Sequence, residues 1–189
     1  MKKSKTEKMV VTALLASFSY LLILLEFPIL PTSPWLKLDF SDLPILIGSF
    51  IVGPVGGILI AFIRSMLNFL LRGGDILSLI GNITGFLASV IFMLPIYSMV
   101  KKGDTNRNLF IGMGISSSLL IVFMAVANYY VITPLYMTVL GMDFGIPLSE
   151  MVLFGIVPFN IIKGIAVSVV FFITYKKLLP SIQKKKSFV

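Results

Sequence analysis

"VGPVGG", residues 52–57, interrupts an apolar run that otherwise extends from Leu43 to Leu71. Pro54 lacks the amide hydrogen that a helix interior needs, and the glycines around it favour a turn. Left unbroken, residues 43–72 would make a helix about 45 Å long against a hydrocarbon core of about 30 Å. The stretch therefore predicts two short helices, 43–53 and 54–72, joined by a tight turn. That break sets the number of membrane crossings, and with it the side on which every other group lies.

The membrane itself follows from composition. Of 189 residues, 57% are hydrophobic and 13% charged, with a mean hydropathy of +1.01. Soluble domains carry roughly twice that share of charge. Besides 43–71, apolar runs of membrane length cover Met9–Leu30, Ile76–Val100, Leu109–Met137 and Met151–Tyr175. The chain is expected to be an all-α integral membrane protein, one membrane domain over 1–189. Its first run is too long for a cleaved signal peptide and lacks a small-x-small cleavage site.

The sequence has no Cys and no His. Thiol chemistry, zinc held by Cys or His, and Ser-His or Cys-His catalysis are therefore excluded, and no metal site is expected. No G-x-x-x-x-G-K-[ST] occurs, so no P-loop powers the chain. No catalytic residue is assigned.

The net charge of +8 is explained by position rather than by nucleic acid. Basic residues cluster at Lys2, Lys3, Lys5 and Lys8, in "KKGDTNR" at 101–107, and at Lys176, Lys177 and 184–186. Positively charged loops stay in the cytoplasm. All three clusters come to one side if the "VGPVGG" break makes a cytoplasmic turn. The expectation is six transmembrane helices, approximately 9–30, 43–53, 54–72, 76–100, 108–137 and 148–178, with both termini cytoplasmic.

Helix direction then gives depth. Arg64 and Lys163 fall near the middle of the bilayer, while Asn68, Asn82, Asn128, Tyr129, Tyr130 and Asn160 fall in its outer half. Charges and amides at such depth turn to a cavity or a partner. Asn160 and Lys163, three residues apart, share a helix face. Their one-sidedness points to a polar chamber open outward. Other readings stand beside it: Lys163 ion-paired with Glu26 or Asp39 and binding nothing, Arg64 structural or snorkelling, Asn68 and Asn82 tying helices together, and the tyrosines as interfacial anchors.

The outer stretch "PWLKLDFSDLPILIG", 34–48, alternates Leu36, Leu38, Phe40 and Leu43 with Lys37, Asp39, Ser41 and Asp42. Alternation predicts an extended segment, apolar face down and polar face up. "SDLP" predicts a helix start with Ser41 or Asp42 as N-cap and Pro44 in the first turn. The segment is either a lid or a connector lying in the headgroups.

Taken together, "LKLDFSDLP", the "VGPVGG" break, and Asn160 with Lys163 resemble the S components of energy-coupling factor (ECF) vitamin transporters, most nearly the riboflavin-binding ones. The resemblance covers the whole chain. It implies a non-enzymatic protein of the bacterial cell membrane, capturing riboflavin from outside, with no cofactor. Its partners would be a membrane T component and two cytoplasmic ATPases. It further implies a ligand site at Leu38, Asp39, Phe40, Ser41, Asn128, Asn160 and Lys163. It implies a docking face of small residues on the first helix, for which this chain has Thr12/Ala16 and Ala13/Ser17 in place of the usual alanine pair. An S component for another vitamin and a membrane-embedded enzyme acting on lipid are the alternatives.

Overall fold

Ser4 opens the first helix with a capping box: its hydroxyl accepts from the Glu7 amide at 3.1 Å, and the Glu7 carboxylate accepts from the Ser4 amide at 2.9 Å. In a computed structural model that describes residues 4–31 and 33–187, the last ten as backbone alone, this helix is α1, Lys5–Ile23. Lys2 and Lys3 lie outside the described residues. So do the side chains of Lys184, Lys185 and Lys186.

The helix ends short of the expected residue 30. Pro28 cannot donate to a helix, and Phe27 before it is biased toward extended backbone. Phe27–Pro28 instead forms a short strand, β1, paired antiparallel with β2, Lys37–Leu38, in the register Phe27↔Leu38 and Pro28↔Lys37.

The chain next forms α2, Asp42–Val52, and α3, Pro54–Leu71. They part at Gly53, whose φ of 103° suits a residue without Cβ. Pro54 takes the first turn of α3, where its missing donor is harmless. There follow α4, Ile76–Lys102, and α5, Asn106–Ala127. A π-helical turn, Asn128–Ile132, joins α5 to α6, Thr133–Leu140. Another, Val152–Ile156, joins α7, Leu148–Met151, to α8, Val157–Ser187.

Among the described residues, five helical stretches are long and apolar enough to cross a membrane: Lys5–Ile23, Pro54–Leu71, Ile76–Lys102, Asn106–Leu140 and Leu148–Lys177. The eleven-residue α2 is shorter, about 16 Å. It sits inside the bundle, touching α1, α3, α4 and α8, with Ile45 and Leu46 fully buried beside Ile60, Phe92, Met93 and Phe171. Exposed Leu14, Phe62, Val122 and Ile165 present an apolar outer surface, suited to lipid rather than water.

The two small-residue pairs of α1 differ in exposure. Thr12 and Ala16 are buried, Ala16 fully and within the core, because this side of the helix packs on α2 and α3. Ala13 and Ser17 are exposed on another side, where the Ser17 hydroxyl returns to the Ala13 carbonyl at 3.0 Å.

The turn between α2 and α3 can be tested directly. Gly53→Val forces a β-branched residue into left-handed backbone and is expected to cost about 1–3 kcal/mol. It should be seen as a lower thermal midpoint in detergent. Gly114→Val, with open space around its Cβ position, should not lower it. Equal midpoints would show that the chain does not depend on that turn geometry.

Candidate functional site

Lys163 projects from α8 one turn after Asn160. Its ammonium lies 3.2 Å from Asp39 Oδ2 and 3.5 Å from Asp42 Oδ2. Glu26, its other expected partner, is engaged elsewhere, 3.1 Å from Lys37 and 2.7 Å from Arg72. Those three tie the end of α1 to the outer loop and to the end of α3.

Arg64, 3% exposed, completes the cluster. Its Nη1 donates to Ser41 Oγ at 2.6 Å and stands 3.9 Å from Asp42 Oδ1. Its Nη2 donates to Ser89 Oγ at 3.1 Å and Ser65 Oγ at 3.3 Å. Ser89 donates to Asp42 Oδ1 at 2.5 Å. Two carboxylates and two cations thus share one buried site, with serine hydroxyls between them. This is how charges persist inside a bundle.

The loop's polar side therefore turns inward at Asp39, Ser41 and Asp42, against the expectation of an upward polar face. Ser41 occupies the N-cap position of α2 without a side-chain cap bond. Its amide donates to Asp39 Oδ1 at 2.8 Å, its hydroxyl donates to the same oxygen, and its carbonyl accepts from Ser19 at 2.5 Å.

The loop is seated by contacts on either side. A Cβ at Gly155 would meet Ser33 Oγ at 2.8 Å, so a larger residue there would require the Ser33 hydroxyl to turn away. Trp35 meets Phe144 with ring centroids 5.3 Å apart, and Leu36 and Phe144 pack over Met151, Val152 and Ile156. Leu38 is buried, and Phe40 packs partly buried against the main core.

Of the predicted site residues, the structure brings Asp39, Ser41 and Lys163 into one network, with Leu38 and Phe40 beside it. Asn128 and Asn160 are buried but bond within their own helices, donating to the Met124 and Ile156 carbonyls at 2.8 Å each. Asn128 opens one π-helical turn and Asn160 follows the other, and these turns touch. Such turns are frequent at functional sites. Asn68 donates to Asn82 at 2.8 Å, binding α3 to α4. Tyr129 and Tyr130 face outward, with ring centroids 4.9 Å apart.

Sequence reasoning missed Asp42, Arg64 and Ser89 as members of the ion cluster beside the predicted ligand residues. The available signal was an arginine at mid-depth, which demands an acid, and a second aspartate three residues after Asp39. Asp42, Phe92, Leu120, Lys163 and Val167 surround a gap with essentially no room for a water molecule. Organic ligands generally occupy about 300–1,000 Å³. A ligand reaching Lys163 must therefore displace side chains that now pack around it.

The site is a buried polar cluster inside a helical membrane bundle, roofed by a loop. A family model described as "ECF transporter, substrate-specific component" matches residues 7–175. The riboflavin transporter RibU of Staphylococcus aureus is 34% identical over 92% of this chain and 91% of its own. The riboflavin transporter FmnP of Bacillus subtilis is 34% identical over 97% of each chain. A solved S component of a bacterial ECF transporter superposes with a TM-score of 0.80 at 32% identity, covering 95% of this chain and 99% of that one. The chain belongs to the substrate-specific components of ECF transporters. It is a multi-pass protein of the bacterial cell membrane and a transporter subunit, not an enzyme.

The two ion clusters should differ in weight. Asp39→Ala leaves Lys163 with one carboxylate in a buried site and is expected to cost about 1–3 kcal/mol. Glu26→Ala, among exposed partners, should cost no more than about 1 kcal/mol per pair. Thermal unfolding of the ligand-free protein in detergent measures both. A larger loss for Glu26→Ala would reverse their assigned importance.

Proposed function

We propose that this chain captures riboflavin from outside the cell for ATP-driven uptake by a T component and two cytoplasmic ATPases. The full-length similarity to the riboflavin transporters of S. aureus and B. subtilis carries this reading. The ligand site comprises Leu38, Asp39, Phe40, Ser41, Asn128, Asn160 and Lys163.

The chemistry supports that set. The pyrimidine edge of the isoalloxazine offers carbonyl oxygens and an N–H. An asparagine amide can both donate and accept there, while an ammonium donates only. Leu38 and Phe40 cover ring faces. As the flavin carbonyl arrives, Lys163 turns to it from Asp39, and Asp39 keeps its Ser41 bonds. The ligand exchanges one partner of an existing donor rather than filling a waiting hole.

The domain is one membrane unit over 1–189 with six crossings: α1, α2 with its outer loop, α3, α4, α5–α6 and α7–α8. Both termini lie in the cytoplasm. The exposed basic residues Lys5, Lys8, Lys101, Lys102, Arg107, Lys176 and Lys177 support this orientation. Docking of the T component falls to the Ala13/Ser17 side of α1, where small residues permit close helix approach.

Purified protein should carry the visible absorption of bound flavin, and a colourless preparation that also fails to take up added riboflavin refutes the reading. Lys163→Met leaves a ligand acceptor unpaired at about 1–3 kcal/mol. It should weaken riboflavin binding roughly tenfold or more, as followed by flavin fluorescence. Asn160→Ala should act in the same direction. Unchanged affinity in both variants moves the site elsewhere.

Orientation has its own test, because the natural chain has no Cys. A cysteine replacing Asp143 should react with an impermeant thiol reagent on intact cells, and one replacing Asn106 should not. Labelling at position 106 would overturn the six-crossing topology.

A further inference from the structure

Arg64 has no part in the ligand set just described, yet it contacts more of that site's framework than any residue in it. From the middle of α3 it reaches the outer loop through Ser41, the first turn of α2 through Asp42, and α4 through Ser89. The charged groups facing it are Asp39 from the loop, Asp42 from α2 and Lys163 from α8. Among the described residues, α1 and α4 add only hydroxyls here, from Ser19 and Ser89. With Arg64 the cluster sums to zero. Without it, two carboxylates would contend for a single ammonium.

We propose that Arg64 is a positioning residue for ligand capture: by engaging Asp42 and Ser41 it limits the hold on Lys163, so that the ammonium can leave Asp39 for a ligand carbonyl. The proposal rests on the riboflavin reading. The geometry divides the two acids accordingly. Asp42 meets Arg64, Ser89 and Lys163. Asp39 gives Oδ1 to Ser41 and Oδ2 to Lys163, so it retains partners when Lys163 departs. Arg64 thus makes one acid a fixed anchor and leaves the other exchangeable.

The test compares riboflavin affinity at neutral pH for wild type, Arg64→Gln, Asp42→Asn and the double variant Asp42→Asn/Arg64→Gln. Arg64→Gln leaves both carboxylates on Lys163, so affinity should fall roughly tenfold. The double variant restores charge balance and should bind within about threefold of wild type. Asp42→Asn alone removes a competitor for Lys163 and should bind at least as well as wild type. That variant keeps the proposal testable if Arg64→Gln does not insert.

A purely structural role for Arg64 gives a different pattern. Its bonds to Ser41, Ser65 and Ser89 are lost equally in the single and double variants, so adding Asp42→Asn would not rescue binding. That result, or a tenfold loss in Asp42→Asn alone, overturns the proposal while leaving the riboflavin reading intact. A wild-type protein that binds no riboflavin overturns both.

Discussion

Buried charges inside a membrane bundle must nearly cancel, and much of this architecture serves that constraint. Arg64 and Lys163 stand on α3 and α8, while the acids that neutralise them stand on the outer loop and on the first turn of α2. The loop therefore comes down into the bundle. Its descent fixes where α2 begins, and α2, starting deep, is short. Four elements are tied by one electrostatic requirement, and separating any of them would strand a charge in a low-dielectric interior.

For a binding protein such a cluster has a use beyond cohesion. A site filled by a satisfied ion pair is stable without its solute, and it exposes no uncompensated donor to lipid or water. For the proposed site, the energetic question on binding becomes whether a ligand carbonyl, with the burial of an aromatic ring system, outweighs what Lys163 already has in Asp39. This favours ligands that present a row of acceptors together with a large apolar face. Small polar solutes supply only the first.

The sequence made some of this legible and hid the rest, for identifiable reasons. The helix break at Gly53 was readable because proline and glycine act through local backbone sterics. Lys163 was readable because an ammonium in an apolar run is costly wherever it points. The end of α1 was misjudged because hydropathy outweighed Pro28, whose backbone effect was decisive. Alternation in the loop was read as one face for water. Yet alternation fixes only that two faces exist, and the cations beneath decided that Asp39 and Asp42 turn inward. The buried side of α1 was beyond reach for a related reason: Thr12/Ala16 and Ala13/Ser17 have the same spacing, and only the position of α2 and α3 tells them apart. Site members contributed by distant segments leave no local pattern, which is why Ser89 went unnoticed.

The π-helical turns at Asn128–Ile132 and Val152–Ile156 bear on how chain length and winding are matched here. Each wide turn amounts to one residue beyond regular α-helical winding, a phase slip of about 100°. Everything after it is rotated on the axis without leaving the axis. An apolar stripe read across Asn128 at ordinary spacing therefore changes face there, so Thr133–Leu140 answers to a different frame from Asn106–Ala127. A one-residue deletion within the turn would not shorten the protein's reach so much as rewind it. It would swing Tyr136 away from Gly81, 3.7 Å from its Cβ position on α4. In this helix a single codon is a unit of rotation.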